Sequence, residues 1–382
     1  MTDTMPPPQL VTTDEMLRDC VAALSRCPAI AVDTEFMRTD TFYPILGLIQ
    51  IYDGQHCWLI DPLAIDDLQP LAAVFDNGDI TKVFHSCSED LEVLQQALGN
   101  IPEPLFDTQV AAALCGYGFS RGYAALVDDM LGIHVPKGET RSDWLRRPLS
   151  SAQLGYAASD VYYLLPVYHQ LLADLDRLHR DPWMAEEMSA LAARAGQNDV
   201  PADYYRKVKG AWRLPPERLS ILQRLCQWRE GEARSRNRPR NRILPDRTLI
   251  EIANRRPRGK GALAEIEGMH PGVIRRYGER LLQFVQDIDD TPSSDYPKPL
   301  DAPLPKSARE LGKSLKAVVA ARAETLQLPV EMLARKREIE ELVRSVCEGD
   351  SASLPASLAS GWRHDAVGAA LLAAVTEKTH GE

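Results

Sequence analysis

The stretch Ala29-Ile30-Ala31-Val32-Asp33-Thr34-Glu35-Phe36 carries the strongest fold signal in this chain. It is a short apolar run of β-type residues that ends in two carboxylates one residue apart. Side chains at positions i and i+2 of a strand lie on the same face. Asp33 and Glu35 therefore lie together, and two carboxylates on one face can ligate a hard divalent cation.

Two further segments carry an acidic residue in a context that suits the same cation site. In the segment 82–90 a strand runs into a helix start, and Asp90 falls in the first turn of that helix. Tyr156 and Asp160 are spaced i and i+4, so they lie on one helix face. Mg²⁺ and Mn²⁺ prefer oxygen ligands. Singly, each carboxylate is typical of a surface group or a helix cap; jointly, they indicate a site for a pair of divalent metals.

At these residues the chain resembles the DEDD superfamily of 3′→5′ exonucleases, in its tyrosine subclass, and within it the ribonuclease D family. Members carry an Asp-x-Glu strand, a central Asp and a Tyr-x-x-x-Asp helix. The five positions are filled in order by Asp33, Glu35, Asp90, Tyr156 and Asp160. The histidine subclass would carry its base one residue earlier, where this chain has Gly155. The match extends through Phe106-Asp107-Thr108-Gln109, Arg141-Ser142-Asp143-Trp144 and two helical C-terminal segments.

The resemblance implies two divalent metal ions, Mg²⁺ or Mn²⁺, as cofactors. Asp33 would bridge both ions, Glu35 and Asp160 would hold the first, and Asp90 would serve the second, partly through water. Two such ions can activate water and stabilise the leaving oxygen in phosphodiester hydrolysis. Tyr156 would position the attacking water rather than remove its proton, because the ordinary pKa of tyrosine is about 10.

Several other residues are candidates for contact with the substrate. His85, on the strand before Asp90, could contact the terminal phosphate, and Phe36 could stack on the terminal base. Gln109 and Trp144 fall in segments typical of the family and could line the nucleotide site. For all four residues, packing in the core is the alternative explanation.

Composition bounds the class of protein. A chain of 382 residues exceeds one typical core, so two or three domains are expected. The seven cysteines are scattered, odd in number and never spaced Cys-x-x-Cys, which argues against a disulfide framework and a zinc site. No apolar run approaches the roughly 20 residues of a membrane span, and residues 1–9 lack a signal-peptide core. We expect a cytoplasmic monomer without a membrane segment or an obligate protein partner.

The net charge of −10 is unevenly distributed. Residues 1–208 carry 14 Lys/Arg against 30 Asp/Glu, residues 209–290 carry 18 against 11, and residues 291–382 carry 12 against 13. RNA would be repelled by the acidic first segment unless a basic neighbour attracts it. Five arginines alternate with other residues between Arg234 and Arg242, which predicts an exposed, extended basic edge. We expect phosphate contacts there from Arg236, Arg238 and Arg240.

The element pattern predicts an α/β domain followed by helices. Strands are expected over 28–36, 46–52, 57–60, 83–85 and 106–108, with helices near 68–75, 91–98 and 109–115. The resemblance implies an α/β ribonuclease H-like (DnaQ-like exonuclease) fold with a mixed sheet, followed by two small all-α HRDC domains. We expect the nuclease domain at 1–208, the first HRDC domain at 209–290 and a divergent HRDC-like domain at 291–382.

The favoured function is a metal-dependent 3′→5′ exoribonuclease that releases 5′-mononucleotides and acts on structured RNA such as tRNA precursors. Its substrate class comes from the resemblance, because the site residues alone do not separate RNA from DNA. A proofreading or helicase-associated DNA exonuclease is one alternative, although no P-loop pattern is present. A non-catalytic RNA-binding protein is the other, and the presence of all four carboxylates weighs against it.

Overall fold

The computed structural model describes residues 5–136, 138, 142–196, 200–306, 308–348 and 352–380. Arg141, part of one family-like segment, lies outside the described residues. The chain divides into two compact units. The first takes in the described residues of Met1–Met37, Ile45–Gly196 and Leu304–Glu382, and the second those of Arg38–Pro44 and Gln197–Pro303.

A six-stranded mixed sheet forms the centre of the first unit. Its strands are β1 Gln9–Val11, β2 Ala29–Met37, β3 Ile45–Tyr52, β4 Cys57–Ile60, β5 Thr81–Phe84 and β6 Leu105–Asp107. Their order across the sheet is β1-β4-β3-β2-β5-β6. β3 pairs antiparallel with β2 and β4, while β1–β4, β2–β5 and β5–β6 are parallel. The predicted α/β fold with a mixed sheet is confirmed; β1 was missed because three residues carry too little pattern.

Helices cover the sheet and form the rest of the chain. In the sheet-bearing part they are α1 Asp14–Leu24, α2 Gln69–Phe75, α3 Ser88–Leu98, α4 Thr108–Leu114, α5 Tyr123–Leu131, α6 Ser151–Tyr162, α7 Leu164–Arg177 and α8 Asp181–Gly196. The second unit contains α9 Pro216–Ser235, α10 Arg240–Ile243, α11 Asp246–Arg255, α12 Lys260–Ala264 and α13 Pro271–Gln286. The C-terminal part contains α14 Ala308–Leu326, α15 Val330–Leu333, α16 Lys336–Glu348, α17 Gly361–Arg363 and α18 Ala369–His380. Within the described chain, none of these helices is both long and apolar enough to cross a membrane.

The middle of β2 is fixed by its neighbours on both sides. Asp33 lies opposite Gln50 of β3 and Glu35 lies opposite Leu48. The register shifts after Glu35, where β3 has Gly47 as the extra residue. A Cβ atom at Gly47 would lie 2.8 Å from the carbonyl oxygen of Trp144, so only glycine permits this approach. The sheet therefore holds the two carboxylates of the Asp-x-Glu motif on a central strand that is paired on both sides.

The start of α6 sets where Tyr156 and Asp160 fall. Ser150 caps the helix by accepting a hydrogen bond from the Gln153 backbone N–H at 3.2 Å, and the Gln153 side chain accepts from the Ser150 N–H at 3.0 Å. This reciprocal capping box satisfies two backbone donors that a helix start leaves unpaired. α6 therefore begins at Ser151, directly after its cap.

The C-terminal helices share the hydrophobic core of the sheet-bearing part. The Trp362 ring stacks on Trp183 of α8 with centroids 4.7 Å apart. The carboxylate of Glu187, also on α8, accepts from the Trp362 indole N–H at 2.8 Å and from the Arg363 guanidinium at 2.9 Å. These contacts attach α17 to α8 within the first unit.

The second unit has a separate core and includes a segment from between β2 and β3. Phe42 of this segment is buried with Ala233 and Ile243. The Asn237 side-chain oxygen accepts from the backbone N–H groups of Phe42 and Tyr43, both at 3.0 Å. Residues 38–44 are thus an integral part of this helical unit.

The predicted extended basic edge is wrong. α9 continues to Ser235, Asn237 takes the left-handed conformation with φ 46°, and α10 begins at Arg240. Alternation of arginine with small and polar residues resembles a strand pattern. Here the alternation instead spans the end of one helix, a turn and the start of the next.

Candidate active site

Three of the predicted carboxylates converge on one point of the sheet. Asp33 and Glu35 of β2 and Asp160 of α6 each offer an oxygen, and these oxygens lie within 4.8 Å of one another. None of them forms a salt bridge with a described residue. An oxygen-only donor set without a countercharge suits a hard divalent cation such as Mg²⁺ or Mn²⁺.

Burial, and for Asp33 and Glu35 also the neighbouring carboxylates, raises the pKa values of these groups. Burial, reinforced by Asp160 and Asp90, raises the pKa of Glu35 to about 8. Burial raises the pKa of Asp160 to about 7 and that of Asp33 well above its ordinary range. Like charges in a poorly solvated site disfavour ionisation. A cation would supply the countercharge that the protein leaves out.

Asp90 lies beside this group but outside the set of three. It is buried in the first turn of α3, where its carboxylate accepts a hydrogen bond from the Thr34 hydroxyl. Burial outweighs this bond and raises the pKa of Asp90 to about 6. Thr34, which sequence reasoning missed, is the x of the Asp-x-Glu motif and points to the opposite face of β2. The alternation of the strand was the signal that could have identified it.

Tyr156 is held against Asp160 on the same face of α6. Its hydroxyl donates a hydrogen bond to the Asp160 carboxylate. Burial, followed by the charges of Asp160 and Glu35, raises the pKa of Tyr156 well above its ordinary value. The phenol therefore stays protonated at neutral pH and acts as a hydrogen-bond donor rather than a base.

A cavity of about 400 Å³ opens beside these residues. Its lining includes Asp33, Tyr156 and Asp160, together with His85 and Tyr123. Its volume falls within the range of about 300–1,000 Å³ that is usual for small-ligand sites. A larger cavity of about 780 Å³ beside β6 and α8 contains none of the predicted site residues, so cavity size alone would have misplaced the site.

Of the two polar candidates His85 and Gln109, only His85 lines this cavity. The His85 Nδ1 lies 2.9 Å from the Thr108 hydroxyl, and its ring meets Tyr123 edge-on at 5.7 Å. Burial lowers the pKa of His85, which disfavours the charged form that a phosphate would prefer. Gln109 is not among the residues that line the cavity, and its amide donates to the Arg121 carbonyl at 3.1 Å. A direct phosphate contact by His85 stays a prediction.

Phe36 and Trp144 belong mainly to the packing of the site. Phe36 is half-buried against the hydrophobic core. Trp144 is 1% exposed, and its ring centroid lies 6.2 Å from that of Tyr156. Trp144 therefore backs the site from inside the core. Stacking of Phe36 on a base stays a prediction.

Gly138 was missed by sequence reasoning although it contacts the central tyrosine. A Cβ atom at this position would lie 1.9 Å from the Tyr156 ring. No larger residue fits without moving that ring. A lone glycine in a loop carries no signal of this kind, because the contact exists only after α6 has packed.

The three predicted arginines of the second unit differ in their surroundings. Arg240 forms a two-pronged ion pair with the buried carboxylate of Glu230, and its guanidinium lies 4.7 Å from the Phe42 ring centroid. Arg236 bonds to Tyr277 and Glu232. Arg238 is exposed, and no polar partner of its side chain is found among the described residues. Of the three, Arg238 is the one best placed to meet a phosphate.

Sequence reasoning missed other arginines of the same surface. Arg238 and Arg242 line a cavity of about 870 Å³ together with Arg275 and Arg276 at the start of α13. Arg275 and Arg276 lie more than 30 positions from the arginine-rich stretch, so only folding brings them together. By contrast, Arg256 and Arg258 of the second basic stretch are paired with Asp289.

Three parts of this chain match known protein families, and the whole chain has relatives of similar length. Family models match at residues 8–176 (3′-5′ exonuclease), 218–285 (HRDC domain) and 307–371 (ribonuclease D, C-terminal HRDC domain). Ribonuclease D of Pseudomonas paraeruginosa is 44% identical over 373 residues, covering 96% of this chain and 99% of that protein. Ribonuclease D of Escherichia coli K12 is 37% identical over 369 residues, covering 95% and 97%.

The likeness extends to three dimensions. The crystal structure of Escherichia coli RNase D, described as an exoribonuclease involved in structured RNA processing, matches with a TM-score of 0.89 over 97% of this chain and 99% of that one. The two sequences are 37% identical in this comparison. The predicted fold and the predicted resemblance are both confirmed. With relatives of this identity aligned over nearly their whole length, the chain belongs to the ribonuclease D family of 3′→5′ exoribonucleases.

Proposed function

We propose that this exoribonuclease is metal-dependent, releases 5′-mononucleotides from RNA 3′ ends and matures the 3′ ends of tRNA precursors. The observation that carries the proposal is the convergence of Asp33, Glu35 and Asp160 within 4.8 Å, without a cationic partner among the described residues. Asp33, Glu35 and Asp160 would hold one divalent ion, and Asp33 with Asp90 would serve a second. When bound, Mg²⁺ or Mn²⁺ would supply Lewis-acid stabilisation of the charged phosphoryl oxygens and favour ionisation of water.

The side chains of the chain have defined parts in this proposal. Tyr156 donates its single O–H proton to Asp160, so its phenol oxygen would orient the attacking water by accepting a hydrogen bond from it. Thr34 holds the Asp90 carboxylate in place. The cavity of about 400 Å³ would receive the terminal nucleotide next to the carboxylates. Enclosure of the nucleotide would exclude bulk water and fix the direction of attack.

Support for an RNA substrate comes from the family and from the second unit. Arg238 and Arg275 are exposed without polar partners among the described residues, which suits contact with phosphates. The related Escherichia coli enzyme is described as acting in structured RNA processing. A tRNA precursor is such an RNA, with a single-stranded 3′ tail on a folded body.

The test uses a tRNA precursor labelled at either end, with matched DNA beside it and with EDTA, Mg²⁺ or Mn²⁺ present. We expect 5′-mononucleotides to leave the RNA 3′ end only when a divalent ion is added, with DNA cleaved far more slowly. Asp33→Asn, which keeps the size of the side chain, should abolish release and leave tRNA binding intact. Release in EDTA, or turnover by Asp33→Asn within about tenfold of the parent, would contradict the metal assignment.

The domain boundaries after residues 208 and 290, and a monomeric state, are part of the same proposal. The charge changes sign near 208, and the HRDC match at 218–285 falls inside the proposed middle domain. Limited proteolysis should cut near the two boundaries, and light scattering should give one species near 42.5 kDa. Preferred cleavage inside 218–285, or a mass of twice that value, would contradict them.

A further inference from the structure

Gln50 is a buried polar residue with no partner. It is 0% exposed, and neither the oxygen nor the nitrogen of its side-chain amide has a hydrogen-bond partner among the described residues. Burying an unpaired amide destabilises the folded state, and buried polar groups are almost always paired. An unpaired amide in the middle of a central strand has two explanations. Either its hydrogen-bond partner is not part of the protein, or the hydrogen bond forms only in another state of the protein.

The position of Gln50 identifies the group that it faces. Gln50 on β3 is the direct cross-strand partner of Asp33 on the antiparallel β2. Side chains of such a pair lie on the same face with Cβ atoms about 4.5–5.5 Å apart. That is the face on which Asp33 and Glu35 meet Asp160 of α6. The amide therefore lies in the buried layer between the sheet and α6, beside the acidic cluster.

The chemistry of the neighbours decides the role of the amide. Ionised carboxylates only accept hydrogen bonds, whereas the amide nitrogen donates two. The Asp33 carboxyl group, directly across on the neighbouring strand, offers the acceptor that the Gln50 N–H lacks in the metal-free fold. Side chains that bond the ligands of a metal commonly fix ligand orientation, and their loss typically costs about 10–100-fold in metal affinity or activity.

We propose that Gln50 is a positioning residue of the acidic site, whose side-chain N–H donates to the Asp33 carboxylate when a divalent ion is held. This inference rests on the proposed metal-dependent function and adds to it a residue outside the family-type motif. It explains why an unpaired amide is tolerated in the core. The bond would exist only in the working state of the enzyme.

The test compares the full chain with Gln50→Met, which keeps the length of the side chain and removes its donors. In EDTA the variant should melt at a higher temperature than the parent, because an unpaired buried amide is replaced by an apolar group. Calorimetric titration should show Mn²⁺ affinity lowered about 10–100-fold. At saturating Mn²⁺, kcat should fall about tenfold or more, with KM for RNA within about twofold of the parent.

Ile51→Met is the matched control, because Ile51 is fully buried on the same strand with its side chain on the opposite face. It should bind Mn²⁺ and turn over RNA as the parent does, with stability equal or slightly lower. Gln50→Glu is the second test variant. It keeps the shape but removes the donor, so it should also lose turnover; full turnover with tighter Mn²⁺ binding would make position 50 a ligand and overturn the proposal.

The remaining outcomes are decisive as well. A raised melting temperature with parental Mn²⁺ affinity and kcat would show that the amide is merely buried, and the proposal would be wrong. A lower melting temperature of Gln50→Met in EDTA would show that the amide is already paired in the metal-free fold, which also overturns it. If the parent itself binds no Mn²⁺, or Asp33→Asn remains active, the proposed function fails instead.

Discussion

At the scale of single residues, this site combines groups that are costly to hold together. Asp33, Glu35 and Asp160 are close, poorly solvated and unpaired by any cationic side chain among the described residues. Their raised pKa values express that cost. These closely placed carboxylates destabilise the metal-free protein. A bound cation would remove that cost, so the same residues should favour cation binding.

The first prediction concerns pH. Glu35 binds its proton more tightly in the folded chain, with a pKa of about 8, than in the unfolded chain, with a pKa of about 4.3. The folded state then holds more protons than the unfolded state, so the free energy of unfolding falls as pH rises. Between pH 6 and 8, where ordinary carboxylates do not titrate, this difference lowers the free energy of unfolding by about 2 kcal/mol, so we expect the melting temperature in EDTA to fall by a few degrees.

Saturating Mg²⁺ should remove this slope, since a bound cation makes the ionised form the stable one. Over the same range kcat/KM at subsaturating Mg²⁺ should rise with pH, because protons compete with the metal. Glu35→Gln is the control and should reduce the slope in EDTA, leaving the part that Asp160 contributes with its pKa of about 7. A melting temperature in EDTA that rises from pH 6 to 8 would mean that the cluster is ionised without metal.

The second prediction concerns the tyrosine hydroxyl. Tyr156→Phe removes one hydrogen-bond donor and leaves the carboxylates in place. General acid–base and positioning groups contribute about 10²–10⁴ in rate, so kcat should fall by at least about 10². Mn²⁺ affinity should remain within a few-fold of the parent. Parental turnover would show that the hydroxyl is dispensable, and lost Mn²⁺ affinity would show that it supports the metal ligands instead.

At the scale of secondary-structure elements, α6 and the loop that faces it determine where the tyrosine lies. The capping box at Ser150 fixes the start of the helix, and therefore the angular position of Tyr156 and Asp160. Gly138 lies against the tyrosine ring. The ring is thus set both by its own helix and by a glycine that leaves it room.

The third prediction tests that arrangement. Gly138→Ala would place a Cβ atom 1.9 Å from the Tyr156 ring, so the ring must move. A displacement of about 1 Å can cost about 10² in rate, and we expect kcat to fall accordingly with Mn²⁺ affinity retained. Gly155→Ala is the matched control on α6, since a Cβ atom there meets nothing within 4 Å. It should keep parental kcat and gain up to about 1 kcal/mol. Equal kcat for both variants would refute the contact argument.

At the scale of the whole molecule, the chain has an acidic part and a basic part, and the proposed function gives them different tasks. Residues 1–208 carry the carboxylates of the site, while the surplus of positive charge lies in residues 209–290. Within that segment the arginines divide into those committed to internal pairs and those that are exposed. Arg240 belongs to the first class because its partner, Glu230, is fully buried.

The fourth prediction separates these two classes. Replacing both Arg238 and Arg275 by Gln should weaken tRNA binding and reduce its salt slope by about 0.7–0.9 per lost contact, without a change in melting temperature. Arg240→Gln should instead lower the melting temperature, because it leaves a buried carboxylate unpaired. Arg258→Gln, which loses an exposed pair with Asp289, is the control. If the double variant binds tRNA with an unchanged salt slope, capture by this surface is wrong.

The sequence by itself determined the features that depend on local spacing. Asp33 with Glu35, and Tyr156 with Asp160, share a face because a strand repeats every two residues and a helix about every 3.6. The α/β class followed from such periods, while the motif residues carried the resemblance that implied the mixed sheet and the family. Arg240 shows where this reasoning fails, since alternation along the chain did not reveal its buried carboxylate partner.

Tertiary structure alone decided the features that depend on contacts between distant parts of the chain. Gln50 faces Asp33 because of strand register, and Gly138 matters because α6 packs against its loop. Arg275 joins Arg238 only when α13 folds back beside the end of α9. Backbone geometry repeats along every chain and can be deduced from spacing. Register and packing arise from many weak contacts acting together, so no single stretch of sequence contains them.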